Sequence, residues 1–554
     1  MLGALLLALG LPAPSAWASV PRQGSLDRSF GVGGVVTTSF GVDYATARAE
    51  AIDTDGNIVA VGGTADFTNG TFAVARYDLT GHLDTTFDTD GTVTTAIGTN
   101  SYATGVGFEP DGKVVVSGYT SNGFGDVAVA RYDTDGSLDP AWATGGIATE
   151  PIGDHAEYAS SLAVQADGKV LVTGSTDTAA GRDLFTLRFN TDGTLDPTWS
   201  SDGIVTTSIG AWTLGGGIAL DPSGDVVVTG STRGADSTLN FTVLRYTAGG
   251  ILDDQFGSGG IVTKSLSSGD DRANAVTTDP SGRVVVVGSA SDKLAVVRLL
   301  DDGTLDSSFG SEGKVLTPVG TEPATGRSVA VTPAGKIVVA GDDSGTGSIV
   351  DDPFLLVRYR VDGSLDPTFG TGGVVLTKTD GEGAFAVRLD AERRIVVAGS
   401  AGGSFAVARY LTEIYRPDAL VERTGDAAYL GDGIYNLTGR NQTRSVKVAR
   451  SKMVTFSFKL QNDGNAAERL CAKGPHGTTG FHLTYLAGTT VVTPDLVGGT
   501  YCTKSLAAGR SALLSAKVKV AADARVGATL LVPLTVTSKH SPAADVARAK
   551  VTVA

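Results

Sequence analysis

Apolar runs of a few residues recur along most of the chain, separated by turns rich in Gly, Asp and Ser, and no helical period overlies them. Several are unbroken and β-branched: Val114-Val115-Val116, Val226-Val227-Val228 and Val284 to Val287. A half-exposed strand alternates polar and apolar positions, so an unbroken run predicts burial on both faces. In one stretch, Val93 to Ile97, Ala103 to Phe108, Lys113 to Gly118 and Val127 to Tyr132 read as four short antiparallel strands joined by turns such as Asp111-Gly112.

The pattern repeats. Gly-x-Leu-Asp begins at Gly24, Gly81, Gly136, Gly193, Gly250, Gly303 and Gly363, at intervals of 53 to 60 residues. Three residues after each motif Asp stands an aromatic: Phe30, Phe87, Trp142, Trp199, Phe256, Phe309 and Phe369. Eight residues before six of those Asp stands an Arg, namely Arg76, Arg131, Arg188, Arg245, Arg298 and Arg358. Four strands repeated seven times predict an all-β fold, a seven-bladed β-propeller over residues 24–412, each blade sandwiched between two others. Asp27 has no upstream Arg, and Arg409 has no downstream Asp at that offset. A circular array makes these two each other's partners, so Asp27 and Arg409 form the expected ring-closing pair.

Asp111-Gly112-Lys113-Val114-Val115-Val116-Ser117-Gly118, Ala130-Arg131-Tyr132 and the Gly-x-Leu-Asp-x-x-aromatic motif resemble the bacterial delta-60 repeat family, from about residue 24 to residue 410. Glu392-Arg393 in place of the Asp-Gly turn, and Leu299 in place of Tyr or Phe, depart from that pattern. The resemblance implies a repeat architecture of exported or surface proteins and carries no activity with it.

After Tyr410 the pattern stops, and residues 413–417 read as a linker. Strand runs at Ser445 to Val448, Met453 to Leu460, Phe481 to Leu486, Ser511 to Val520 and Leu530 to Ser538 predict a β-sandwich over 418–554. Phe456 to Asn465 and Leu506 to Gly509 resemble the Ig-like modules at the ends of bacterial exoproteins. Both cysteines, Cys471 and Cys502, fall here; an even count in an exported chain suggests a disulfide, with two buried thiols as the alternative.

The run Leu2 to Leu11, followed by Pro12, Pro14 and Ala16-Trp17-Ala18, reads as a signal peptide over residues 1–18, although no Lys or Arg precedes it. It is shorter than the roughly 20 residues a membrane span needs, and no other stretch qualifies. Export to the medium or the cell surface, as a monomer, is the expectation. A net charge of −15 repels phosphate backbones and argues against a nucleic-acid partner.

Candidate chemistry is sparse. The repeated Arg and Asp could form an anion-binding ring, but one pair per blade is what scaffolding requires. As exposed pairs they would contribute only about 0.2–1 kcal/mol each, against about 1.5–3 kcal/mol for burying each aromatic. On that reading aromatics hold the ring and charges set its register. Asp-rich turns such as Asp53-Thr-Asp55-Gly56, Asp133-Thr-Asp135-Gly136 and Asn190-Thr-Asp192-Gly193 suit calcium, yet no further acidic ligand recurs, and Asx-turns explain them. No cofactor and no metal ligand set is therefore expected, with calcium as the alternative at those turns. The histidines His82, His155, His476, His482 and His540 make no His-Glu-x-x-His pair, and no Gly-x-Ser-x-Gly elbow or phosphate-cradling loop occurs.

In a four-stranded blade, alternate connections emerge on opposite sides. One side carries uniform turns, such as Asp111-Gly112; the other varies in length and chemistry, and rigid scaffolds present binding loops in that way. On it lie His155, Tyr158, Trp212, Asp342, Asp343, Asp351 and Asp352, the candidate binding-face residues. The expected function is a non-catalytic binding or scaffold protein taking an extracellular glycan or protein ligand. The rival is a secreted lyase or glycosidase with its site on that face or in the axial channel; a passive spacer is a third reading.

Overall fold

A computed structural model describes residues 22–64, 69–121, 125–320, 323–343, 352–413, 415–539 and 544–554. The leader expected over residues 1–18, and Asp351, lie outside them. The described chain is all-β apart from the short helix Thr493–Gly498, and no described helix is long and apolar enough to cross a membrane. It divides into two compact units, Gln23–Thr412 and one holding Glu413–Ala554.

The first unit is a β-propeller of seven four-stranded antiparallel sheets. The sheets are offset by one strand from the sequence reading. Thr92–Thr95 is the outer strand of the sheet Ala45–Ile52, Ile58–Thr64, Thr71–Tyr77, and Ser101–Phe108 opens the next. The physical reason is the motif turn: the Asp84 amide donates to the Arg76 carbonyl at 2.9 Å and the Arg76 amide to the Gly91 carbonyl at 2.9 Å, folding the short strand back onto Thr71–Tyr77. The same offset sends Val35–Thr38 to the far end of the chain, where it completes the last sheet by pairing with Ser404–Tyr410, Val35 opposite Ala408. First strands pack in turn, Ala45–Ile52 on Ser101–Phe108 and onward to Ala384–Leu389, which returns to Ala45–Ile52.

Neighbouring sheets are joined by one device repeated around the ring. The motif aromatics are fully buried, and each motif Arg stacks on its own, at 4.5 Å for Arg298 over Phe309 and 5.7 Å for Arg76 over Phe87. Each guanidinium then reaches the next sheet: Arg131 Nη1 donates to the Thr191 carbonyl at 2.8 Å, Arg188 Nη1 to Ala248 at 2.7 Å and Arg298 Nη1 to Val361 at 2.6 Å. Backbone bonds run alongside, from the Asp88 amide to the Asp135 carbonyl at 2.7 Å and, closing the ring, from Gly370 to Gln23 at 2.9 Å. The motif Gly is required because its backbone lies against the preceding aromatic: a Cβ on Gly250, at φ +80°, would sit 2.8 Å from the Trp199 ring. Arg409 Nε lies 2.9 Å from Asp27, and Arg409 also donates to the Leu79 carbonyl of the next sheet.

These ion pairs are buried, contrary to the exposed pairs assumed from sequence: Arg298 is 2% exposed and Arg358 1%. The charges therefore hold sheet to sheet, beyond setting register. A second cation joins several of them, since Lys113 Nζ lies 2.6 Å and Lys169 Nζ 2.8 Å from the motif carboxylates Asp139 and Asp196. Burial alone would raise the Asp139 carboxyl, but Lys113, the Ala141 amide and Arg131 outweigh it and hold the group at about 2.

In the second unit a five-stranded and a four-stranded sheet share one core that includes Phe456, Phe458, Tyr485, Leu514, Val532 and Val551. The described strands extend the sequence reading by Pro417–Arg423, Leu470–Lys473, Thr490–Val491 and Ala544–Val553, the last pairing in parallel with Thr443–Val448. Cys471 and Cys502 are disulfide-bonded.

Candidate functional site: the axial mouth of the propeller unit

Every first strand in the propeller unit breaks register at the same step: Ala47/Ala49, Ala103/Gly105, Ala159/Ser161, Gly215/Ile218, Ala273/Ala275, Gly326/Ser328 and Ala384/Ala386. A bulge inserts an unpaired residue and re-aims its side chain. The residues so placed are Arg48, Thr104, Ser160, Gly216 with Gly217, Asn274, Arg327 and Phe385. The small residue before each bulge allows seven strands to converge near one axis. Around the rim, Thr104 Oγ1 donates to the Ala159 carbonyl at 2.9 Å, Ser160 Oγ to Gly216 at 2.6 Å and Asn274 Nδ2 to Gly326 at 2.8 Å, tying neighbouring bulges together.

Together these strands enclose a cavity of about 680 Å³, at the end where sheet-to-sheet connections arrive, which is the variable side. Among the described residues four arginines line it, Arg48, Arg182, Arg272 and Arg327, and no carboxylate does. Their acidic partners lie outside the lining: Glu382 at 3.5 Å from Arg48, Asp177 at 2.6 Å from Arg182, Asp270 at 3.4 Å from Arg272 and Asp342 at 2.6 Å from Arg327. A guanidinium has five N–H donors, so one carboxylate leaves several for a ligand.

Aromatics form the remaining wall. Tyr102 and Tyr119 lie 5.7 Å apart and Tyr119 and Tyr158 5.6 Å, while Arg48 stacks on Phe385 at 4.0 Å and Arg182 on Tyr158 at 4.7 Å. Burial, then the hydrogen bond to Glu382, push the Tyr44 hydroxyl up to about 12, so the phenol is neutral at physiological pH.

Of the candidates named from sequence, Tyr158 lines the cavity. Trp212 stands behind it, with Arg182 at 5.5 Å and Arg233 at 4.4 Å over its ring. Asp342 is no exposed loop residue: it ends the strand Ile337–Asp342, is 3% exposed and supports Arg327. Asp343 and His155 lie in connections and Asp352 opens Asp352–Tyr359; none of these three lines the cavity. The Asp-rich turns are Asx-turns, the Asp135 carboxylate accepting the Ser137 amide at 3.0 Å and hydroxyl at 2.7 Å.

Sequence reading missed the four mouth arginines. For Arg48, Arg272 and Arg327 the signal is an x-small-x triplet near the start of each first strand, visible as Thr46-Ala47-Arg48, Tyr102-Ala103-Thr104, Tyr158-Ala159-Ser160 and Arg272-Ala273-Asn274, whereas Arg182 lies outside it. Glu157, whose carboxyl burial raises to about 7, precedes Tyr158 on the strand and so points to the opposite face. It accepts from Thr176 Oγ1 at 3.1 Å and serves the scaffold.

A second cavity of about 590 Å³ opens at the opposite end of the same strands, lined by Ile52, Val106, Leu162, Val276 and Arg388 among others. Arg388 is wetted by it although protein surrounds the side chain. Glu50 lies near Arg388 and is fully buried, and burial, opposed only in part by Arg388, pushes its carboxyl up to about 8. A carboxyl raised on folding holds its proton more tightly in the folded state, so its contribution is full below the unfolded value near 4.5 and is lost as pH rises toward 8. Glu50→Gln is therefore expected to stabilise the protein more at pH 8 than at pH 5, read as a flattened profile of urea midpoint against pH.

Residues 54–87, 109–141, 165–198, 280–309 and 333–369 match the family described as domain of unknown function (DUF5122) beta-propeller. No curated protein matches the chain. Among solved structures, a protein of unknown function from Bacteroides caccae is 12% identical over 59% of this chain and 97% of that one, with a TM-score of 0.34. A Hadza microbial sialidase is 12% identical over 62% of this chain and 74% of that one, at 0.36. The tail fiber of Staphylococcus aureus phage P68 is 10% identical over 77% and 93%, at 0.24. Likenesses of this degree carry no argument about function.

Proposed function

Because the chain carries the repeats of the DUF5122 beta-propeller family, a fold without an assigned activity, we propose from the site itself that it is an exported binding protein whose axial mouth takes an acidic saccharide. One observation carries the reading: in a chain of net charge −15, the described lining of the cavity converging from all seven first strands holds four arginines and no carboxylate. Guanidinium groups match a carboxylate bidentately, and tyrosine faces beside them suit sugar rings, which present both apolar and hydroxyl edges. The cavity volume falls within the range of ligand sites, roughly 300–1,000 Å³.

Binding is favoured over turnover by the mouth's own chemistry. A nucleophilic tyrosine needs a lowered pKa, whereas Tyr44 is displaced upward. The disulfide and the apolar leader run support export to an oxidising compartment. Residues 418–554 we take as an Ig-like module.

The test is titration calorimetry of the full chain with short oligouronates and with neutral oligosaccharides of the same length, hydrolysis being assayed alongside. Saturable binding of the oligouronate alone, weakening with salt, is expected. Equal affinity for the neutral series removes the arginines from the account, and product formation transfers the site to the enzyme reading.

A further inference from the structure

Three carboxylates meet at one edge of the Glu413–Ala554 unit. Asp418 is the second residue of the strand Pro417–Arg423, Asp463 follows the partner strand Met453–Asn462, and Asp432 sits in the turn Gly431-Asp432-Gly433. The strand register sets Asp418 opposite Gln461 and Pro417 opposite Asn462, which brings Asp463 beside Asp418. One oxygen from each of the three lies within 4.8 Å of the others.

Asp418 is fully buried. Its Oδ2 accepts the Gly433 amide at 3.0 Å, and its Oδ1 has no hydrogen-bond partner. A buried, unsatisfied carboxylate oxygen is costly, and a neighbouring negative charge increases the cost. Among the described residues no Lys, Arg or His forms an ion pair with Asp418, Asp432 or Asp463. Asp545, also buried nearby, differs: Oδ2 accepts the Ala419 amide at 2.9 Å and Gln442 Nε2 at 2.8 Å, and Oδ1 accepts the Asn436 amide at 2.8 Å. Asp545 is thus satisfied by the fold, while Asp418 is not.

The other two carboxylates are held in place by neutral donors. Tyr435 donates to Asp463 Oδ2 at 2.6 Å, and Gln461 Nε2 donates to Asp463 Oδ1 at 2.7 Å and reaches Asp432 Oδ1 at 3.4 Å. Such donors orient carboxylates without neutralising them, as residues around a metal ligand do. Asp432 is exposed, which leaves a route for an ion from solvent.

We propose that Asp418, Asp432 and Asp463 bind a hard divalent cation, calcium, which clamps the turn 431–433 to the paired strand ends. Oxygen-only ligands from three separate segments, with solvent access to complete the shell, suit calcium's six to eight ligands at variable geometry better than magnesium's strict octahedron. The site belongs to the Glu413–Ala554 unit and does not depend on how the mouth of the propeller unit is read.

The experiment uses the full chain stripped with chelator and titrated with calcium chloride alone by calorimetry, with hydrogen exchange locating the response. One ion per chain is expected, with slowed exchange at residues 416–435 and 461–465, and magnesium at the same concentration giving a weaker response. Asp463→Asn and, at the exposed position where folding is not at stake, Asp432→Asn are each expected to weaken calcium binding at least tenfold. Asp418→Asn, which replaces the buried carboxyl by an amide of the same shape, is expected to leave the stripped protein at least as stable while abolishing the calcium response. Absence of binding, protection confined to the propeller turns, or affinity unchanged in both Asp432→Asn and Asp463→Asn overturns the proposal.

Discussion

Arg298→Ala is expected to lower the stability of the propeller unit by about 3–5 kcal/mol, the usual consequence of removing one partner from a buried ion pair. Arg298 is 2% exposed, lies 2.8 Å from Asp306, stacks on Phe309 and donates to the Val361 carbonyl of the next sheet. Alanine leaves that carbonyl without its donor, leaves Asp306 only Arg283 at 3.6 Å and the Ser308 amide and hydroxyl, and opens a gap over the ring. Tryptophan fluorescence during urea unfolding isolates the effect, because beyond Trp17 the tryptophans are Trp142, Trp199 and Trp212, all within Gln23–Thr412. The contrast is Arg272→Ala in the mouth, where the side chain is 50% exposed; it should stay within about 0.5 kcal/mol of the parent.

The double variant Arg48→Ala/Arg327→Ala is expected to lower affinity for an oligouronate by about a hundredfold or more, since each charged hydrogen bond lost from a ligand site is worth roughly 1.5–3 kcal/mol. Both guanidiniums flank Phe385, at 4.0 and 5.8 Å, so together they frame one subsite. They are 44% and 39% exposed, so the fold should tolerate their removal, and the urea midpoint serves as the control. A loss confined to affinity, with salt dependence also reduced, separates ligand contact from damage to the scaffold. Loss of both together would mark the arginines as structural.

The repeat motifs were legible because scaffolding needs the same residues in every sheet. The Gly, the aromatic, the Asp and the Arg each answer a contact made seven times, and the unmatched Asp27 and Arg409 marked where the two ends of the propeller unit meet, 2.9 Å apart. Burial of the ion pairs was not legible: an eight-residue offset gives proximity within a sheet but not the aromatic of its own repeat or the carbonyl of the next, which together exclude water. The blade boundary was misplaced for a related reason, as a strand period alone does not say which of two flanking turns returns the chain to its own sheet.

The mouth was hidden for the opposite reason. Arg48, Thr104, Asn274, Arg327 and Phe385 share a position but not one common residue type, so a motif search passes over them, and Arg182 comes from a different strand altogether. Only the common bulge shows that they point to one place. The acidic cluster of the second unit was equally invisible, since Asp418, Asp432 and Asp463 come from three segments with no fixed spacing.

The axial mouth is tested most directly by a crystal structure of the full chain soaked with the tightest-binding oligouronate. The account predicts a ligand carboxylate within hydrogen-bonding distance of Arg48, Arg272 or Arg327, with a sugar ring against Tyr102 or Tyr158. An oligouronate seated on the outer strands or in the opposite cavity, with the mouth left to solvent, would contradict it.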